Sequence, residues 1–234
     1  MSSPATFSNE AHYVALDTSG VSGSVAVGRG PDVVAGVTIP GRFEQAGRLV
    51  PAIDEALRAA GVDRRELAGV VVGEGPGSFT GVRIAAATAK GLAHALAVPM
   101  WGISSLLATA LAYELPAIRY VLFDARSDRV YGACFEVGST AVRELVPTHA
   151  GTLRETLTSR VPTGALFVGD AAARHRAVIE GAGFLVELAP AGRSPAEGLL
   201  RYLGLHPDTA PVADPASWEP RYVRASNVER PWSA

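Results

Sequence analysis

The sequence predicts an α/β protein of two lobes, each a mixed sheet with helices. Two observations carry this. The first half reads strand, strand, strand, helix, strand, helix, helix, and the second half restarts with strands that again give way to helices, without a repeat in the sequence itself. A glycine-rich turn, Gly73-Glu74-Gly75-Pro76-Gly77-Ser78-Phe79-Thr80-Gly81-Val82-Arg83-Ile84, joins a short apolar strand to an alanine-rich helix and organises the first half.

Composition narrows the function. A length of 234 residues suits one large domain or two small ones. A formal net charge of −2 argues against nucleic-acid binding by a bulk basic field and leaves room for a local basic patch. The single cysteine, Cys134, excludes an intramolecular disulfide and a Cys-based zinc site and fits a reducing compartment. It sits among apolar residues, where a buried thiol is expected rather than a nucleophile. No apolar run approaches the ~20 residues that cross a bilayer. Residues 1–12 are polar and lack a signal-peptide core, so a loose tail and a cytoplasmic protein are expected. The expected divisions are a tail over 1–12, a first lobe over 13–115 and a second lobe over 116–234 that ends in a wrapping tail. The hinge is expected at Leu115-Pro116-Ala117.

Taken in order, Tyr13 to Leu16 is apolar throughout and reads as a central strand. Ser22 to Gly28 and Asp32 to Ile39 complete an antiparallel meander, with Gly30-Pro31 as a turn. A helix is predicted from Glu44 to Ala60, with Leu49, Ile53 and Leu57 on one stripe and Gly61 as its stop. Pro51 inside it predicts a kink or a late start. The strand Gly69 to Val72 feeds the glycine turn, and the helix Thr80 to Leu96 follows. Val98 to Gly102 is extended, and Ser104 caps a helix from Ser105 to Tyr113. In the second half, strands are predicted at Tyr120–Asp124, Val130–Glu136 and, raggedly, Ala141–Pro147. A helix runs from Gly151 to about Arg160, a strand from Ala165 to Val168 and a helix from Ala171 to Glu180. An extended piece is expected at Leu185–Leu188 and a helix at Pro195–Leu203, with proline in its first turn. From Leu205 onward prolines and scattered charge predict a tail that wraps the surface.

Three stretches could carry chemistry. A strand, glycine turn and helix aim backbone N–H groups above the helix N-terminus, which suits a phosphate or carboxylate. Yet the spacing fits neither G-x-G-x-x-G nor a Walker A loop, and Pro76 stands where a nucleophile elbow needs glycine. A structural turn that packs the helix under a sheet is the competing reading. Asp17-Thr18-Ser19 could hold Mg²⁺ through water and bond a phosphate, or simply close a hairpin. Asp17, Thr18, Ser19, Gly75, Gly77 and Ser78 are therefore the candidate, degenerate nucleotide site. Asp124 and Arg126, in Asp124-Ala125-Arg126-Ser127-Asp128-Arg129, could bind a polar partner or form a solvated hairpin tip. His12, His94, His149, His175 and His206 form no metal-binding pair by spacing. Ala85, Ala86, Ala89 and Ala93 leave the helix with little bulk, so it packs closely either on its own sheet or on another subunit. Arg83 sits against the helix dipole and is expected to have a partner, such as a carboxylate of its own lobe.

These residues also carry a resemblance. Ala15-Leu16-Asp17-Thr18-Ser19, the block from Gly75 to Ile84, Asp124-Ala125-Arg126 with Val130-Tyr131, and Pro220-Arg221-Tyr222-Val223-Arg224 together resemble the TsaB (YeaZ) family over nearly the whole chain after the tail. The resemblance implies an ASKHA fold, the actin-like and RNase H-like pair of lobes. It implies a non-catalytic role in forming N6-threonylcarbamoyladenosine at position 37 of tRNA, beside the catalytic relative TsaD and the ATPase TsaE, with tRNA met through the complex. It also implies a homodimer through first-lobe helices, for which Leu49, Ile53, Leu57, Ala85, Ala86, Ala89 and Ala93 are the expected interface. The catalytic relative holds a metal with two histidines four apart, a pair missing here, so no metal is expected. No cofactor is firmly implied, and ATP or ADP would bind only weakly or at the partner interface. Where the family often has His-Ser or His-Thr, this chain has Phe43-Glu44-Gln45-Ala46. The alternative is a catalytic ASKHA ATPase or phosphotransferase using Asp17 and the glycine turn. A peptidase has also been inferred by resemblance, but no catalytic set for one is visible.

Overall fold

The structure is a computed structural model, and it describes residues 6–41, 44–113, 116–159, 161–189 and 193–223. Leu115 of the expected hinge, Phe43, Arg160, Arg224 and the first five positions of the expected N-terminal tail lie outside the described residues. Two five-stranded mixed sheets form the two lobes. In the first, β1 (His12–Asp17), β2 (Gly23–Arg29) and β3 (Asp32–Ile39) make the predicted antiparallel meander. Then β4 (Leu67–Gly73) pairs parallel with β1, and β5 (Met100–Ile103) parallel with β4. The order is β3-β2-β1-β4-β5. In the second, β6 (Ala117–Asp124), β7 (Arg129–Val137) and β8 (Val142–Thr152) repeat the meander, and β9 (Leu166–Val168) and β10 (Leu185–Val186) add the parallel pair. The order β10-β9-β6-β7-β8 is the first lobe's order read from the other edge. The echo seen in the sequence is thus a repeated topology.

The helices sort by the two-residue period of the strands. Val14 and Leu16 of β1 face α1 (Gln45–Ala60) and α2 (Phe79–Leu96). Tyr13 and Ala15 face the other way, onto α7 (Pro195–Leu205) and Ala108 of α3 (Ser105–Leu111). The opposite side of α3 covers Val121 and Phe123 of β6. Tyr120 and Leu122 pack on the far side against Leu153 of α4 (Leu153–Thr158), Ala171 and Ala172 of α5 (Asp170–Arg174), and Ile179 of α6 (Arg176–Gly181). Each sheet is therefore covered on both faces at its centre, which is why Tyr13–Leu16 of β1 and Tyr120–Phe123 of β6 are buried on both faces.

Several expectations need correction. The division at residue 116 fails for α7, which follows the second sheet in sequence but packs on the first. The seven proposed interface residues, Leu49, Ile53, Leu57, Ala85, Ala86, Ala89 and Ala93, are all buried in the first lobe. Six of them form one cluster with β1, β2 and β4. The alanines are small because the helix lies close on its own sheet. Pro51 does not delay α1, which begins six residues earlier. The predicted helix Ala171–Glu180 is broken at His175 into α5 and α6. Strand β8 outlasts its ragged pattern and runs to Thr152, whose side chain then caps α4 in a reciprocal box with Glu155.

The described part of the tail, up to residue 223, runs along the first lobe. Val212 N–H donates to Met100 O (2.7 Å), Trp101 Nε1 donates to Thr209 O (2.9 Å), and Arg221 N–H donates to Glu74 O (2.8 Å). It thereby covers β5, an edge strand. The contact between α3 and α7 depends on Gly198, where any Cβ would run into the Ala108 carbonyl. Gly198→Val should destabilise the fold by about 1–3 kcal/mol or more through overpacking. A denaturant midpoint equal to that of the unaltered chain would show that α7 is not held in this position.

Candidate functional site

The motifs singled out in the sequence converge where β1, β4 and α2 meet. Asp17 ends β1 and is buried. Its Oδ1 accepts Ser19 N–H (2.9 Å) and Ser19 Oγ–H (2.6 Å). Its Oδ2 accepts Ser105 Oγ–H (2.6 Å), and that same hydroxyl accepts Gly75 N–H (3.1 Å). Thr18 Oγ1 donates to Gly81 O (2.6 Å), and Ser78 N–H donates to Ser19 O (2.7 Å). Ser78 Oγ caps α2 by accepting Gly81 N–H (3.3 Å). Side chains at Gly77 and Gly81 would strike the backbones of Ser19 and Thr18. The two loops interlock through Asp17, Thr18, Ser19, Gly75 and Ser78, with Gly77 allowing the close approach, and this favours the structural-turn reading of the six residues over an anion cradle. Gln45, at the position that departs from the family pattern, is buried at the start of α1 beside Thr18 and Gly23.

Burial pushes the Asp17 carboxyl above the ordinary aspartate range, and the hydrogen bonds from Ser105 and Ser19 oppose this only in part. A carboxyl raised by folding stabilises the protein most below its unfolded pKa of about 4 and loses that contribution as pH rises through the folded value.

Outside this lock lies a cup of about 390 Å³ lined by Pro76, Gly77, Phe79, Val82, Arg83, Tyr131, Arg221, Tyr222 and Val223. It joins the glycine turn, the Val130-Tyr131 stretch and the C-terminal signature. The Arg83 guanidinium lies 4.0 Å over the Phe79 ring, and Arg83 Nε donates to Tyr222 Oη (3.0 Å). The Phe79 and Tyr222 ring centroids are 5.4 Å apart. Arg83 therefore has its expected partner, but the partner is a phenol and an aromatic face rather than a carboxylate. Arg221, largely exposed, lies 3.8 Å from Glu74. Burial raises the Glu74 carboxyl, and Arg221 opposes that shift.

A second cavity, of about 310 Å³, lies between the lobes, lined in part by residues 20–24, Tyr113, Phe123 and Asp170. Asp170 spans it: Oδ2 accepts Val21 N–H and Oδ1 accepts Asp124 N–H, each at 3.0 Å. Asp124 closes its own turn by accepting Arg126 N–H (2.9 Å) and meets Arg174 at 3.2 Å. Arg126, Ser127 and Asp128 all have positive φ, so this stretch is a left-handed hairpin tip. Sequence reasoning did not select Ser105, Asp170 or Phe79. Ser105 had no signal, because its partner is 88 positions away. Phe79 lay inside the quoted block and could have been chosen as a bulky ring at an exposed helix start. Among the described residues no group of three metal-binding side chains comes together, and no helix is long and apolar enough to cross a membrane.

Asp17→Asn keeps the shape of the lock but cannot titrate. The unaltered chain should lose urea stability relative to this variant as pH rises from 4 to 7; parallel pH profiles would refute the buried-carboxyl assignment. Asp17→Ala, which strands the Ser19 and Ser105 hydroxyls, should cost about 1–3 kcal/mol at either pH.

Comparisons with known proteins agree with this arrangement. The family described as TsaD, tRNA N6-adenosine threonylcarbamoyltransferase, matches residues 44–183. The tRNA threonylcarbamoyladenosine biosynthesis protein TsaB of Bacillus subtilis is 29% identical over 226 residues, covering 94% of this chain and 96% of that protein. Its namesake in Escherichia coli is 35% identical over 126 residues, 53% of this chain and 54% of the relative. YeaZ from Pseudomonas aeruginosa superposes with a TM-score of 0.70 at 25% identity, covering 91% of this chain and 100% of that one. With its two lobes of repeated topology and these relatives, the chain belongs to the TsaB (YeaZ) branch of the TsaD family.

Proposed function

We propose that the chain is a non-catalytic subunit in the formation of N6-threonylcarbamoyladenosine on tRNA, binding and activating TsaD together with the ATPase TsaE in the cytoplasm. The nearly end-to-end match to the Bacillus subtilis TsaB protein carries this reading. The interlocked Asp17 turn supports the non-catalytic part and weighs against an ATPase or phosphotransferase at that turn, because its polar groups are bonded internally. Direct partner contact is assigned to the outward face of α1 and α2, since their inner faces are core. That face offers exposed Val50 on α1 and exposed Ala87 and Gly91 on α2. A second copy of the chain would compete with TsaD for it by mass action.

Expression in a bacterium depleted of its own TsaB should restore threonylcarbamoyladenosine in hydrolysed tRNA; failure to restore it in the presence of TsaD and TsaE from the same source would overturn the assignment. Gly91→Trp tests the contact face, because a side chain there meets nothing within 4 Å in the chain itself. It should leave the melting temperature unchanged and weaken TsaD association by about 1–3 kcal/mol, roughly 5- to 150-fold. Undiminished association measured by calorimetry would place the contact elsewhere.

A further inference from the structure

We propose that the cup formed by Phe79, Arg83, Arg221 and Tyr222 receives an unstacked base of a single-stranded RNA loop. This deepens the proposed function and rests on it for the identity of the RNA.

Among the described residues Phe79 and Tyr222 are the two large aromatic side chains with exposed surface, at 58% and 41%. Burial is the ordinary fate of such rings, and the protein's other described large rings are covered or half covered. These two stand together at one mouth, with centroids 5.4 Å apart. They are also fixed. The Arg83 guanidinium stacks on Phe79 and its Nε bonds the Tyr222 hydroxyl, so the rings are held before any ligand arrives. The tail that carries Tyr222 is itself pinned by the bond from Arg221 N–H to Glu74 O. A fixed ring loses little freedom on stacking against a base.

Charge favours the same occupant. Arg83 and Arg221 line the cup, and among the described residues no carboxylate side chain does. Glu74 lies behind Arg221 and is mostly covered. The formal charge of the chain is −2, so this is a local cationic spot on a mildly acidic protein. A guanidinium that stacks and a second that is exposed suit a base and its neighbouring phosphate. A duplex would keep its bases stacked and paired, out of reach of a recessed aromatic wall. A broad protein interface would want a continuous apolar surface of hundreds of Å². The other exposed large hydrophobic residues, among them Val21, Val33, Val50 and Val178, do not line the cup. The cup therefore matches one inserted base better than a flat protein face.

The test uses the full chain and fluorescein-labelled ten-nucleotide oligoadenylate and oligouridylate, with a duplex RNA of equal length, followed by anisotropy. The single strands should bind, the duplex more weakly, and affinity should fall as salt rises. Phe79→Leu, which keeps an apolar side chain but removes the ring, should weaken binding roughly 5- to 100-fold, as expected for the loss of one stacked base. Tyr222→Phe should stay within about threefold, because the ring remains. No binding by the unaltered chain, equal binding by the duplex, or full binding by Phe79→Leu would each overturn the proposal. So would a Phe79→Leu variant that keeps RNA affinity but loses TsaD, since the cup would then be a protein contact. Restoration of threonylcarbamoyladenosine in cells is read separately: if it succeeds while RNA binding fails, the cup assignment falls and the proposed function stands.

Discussion

The first lobe depends on the close approach of two loops that lack the bulk to keep each other away. Side chains at Gly77 or Gly81 would collide with the Asp17-Thr18-Ser19 backbone, and one at Gly73 would collide with the Asp17 carboxylate. Because those side chains are absent, the turn after β4 can sit directly on the turn after β1. Asp17 then bonds Ser19 beside it and Ser105 at the head of α3. One buried carboxyl group thus ties the end of β1 to the head of α3, and the Ser105 hydroxyl extends the link to Gly75. The start of α2 follows, since Ser78 is held by Ser19 before it caps the helix. Phe79 and Arg83, on the first turns of that helix, are positioned by the same constraint.

Much of the architecture was legible in the sequence. Apolar strands with a two-residue alternation, stop glycines and a serine cap are local signals, and they predicted nearly every element of the first lobe. The signals weakened where structure depends on distant partners. The break at His175 has no glycine or proline to mark it. The length of β8 comes from pairing with β7, which its own composition does not reveal. The position of α7 was misread for a related reason. Its stripe, Leu199, Leu200 and Leu203, says that one face is buried, but not against which sheet.

The site shows the same division. Asp17 and the glycine turn each left two readings open, a cradle and a structural turn, because spacing cannot tell whether N–H groups face a ligand or a neighbouring loop. The alanines of α2 were read as an interface for the parallel reason: small residues announce a close approach without naming the partner, which here is the helix's own sheet. The cup was hidden because Phe79, Tyr131 and Tyr222 come from three segments. The bond between Arg83 and Tyr222, 139 positions apart, draws the first turns of the helix and the tail together at the cup.

The placement of α7 also bears on synthesis of the chain. Tyr13, Ala15, Ala26 and Val71 form an apolar sheet face whose cover includes Ala196, Leu199, Leu200 and Leu203. While the chain grows on the ribosome, the strands of that sheet emerge long before their cover does. Until the last quarter of the polypeptide has been made, the first lobe carries an uncovered greasy face. Its folding must therefore finish late, after the second lobe's strands have left the ribosome, and the emerging first half is the part that most needs shielding by a chaperone.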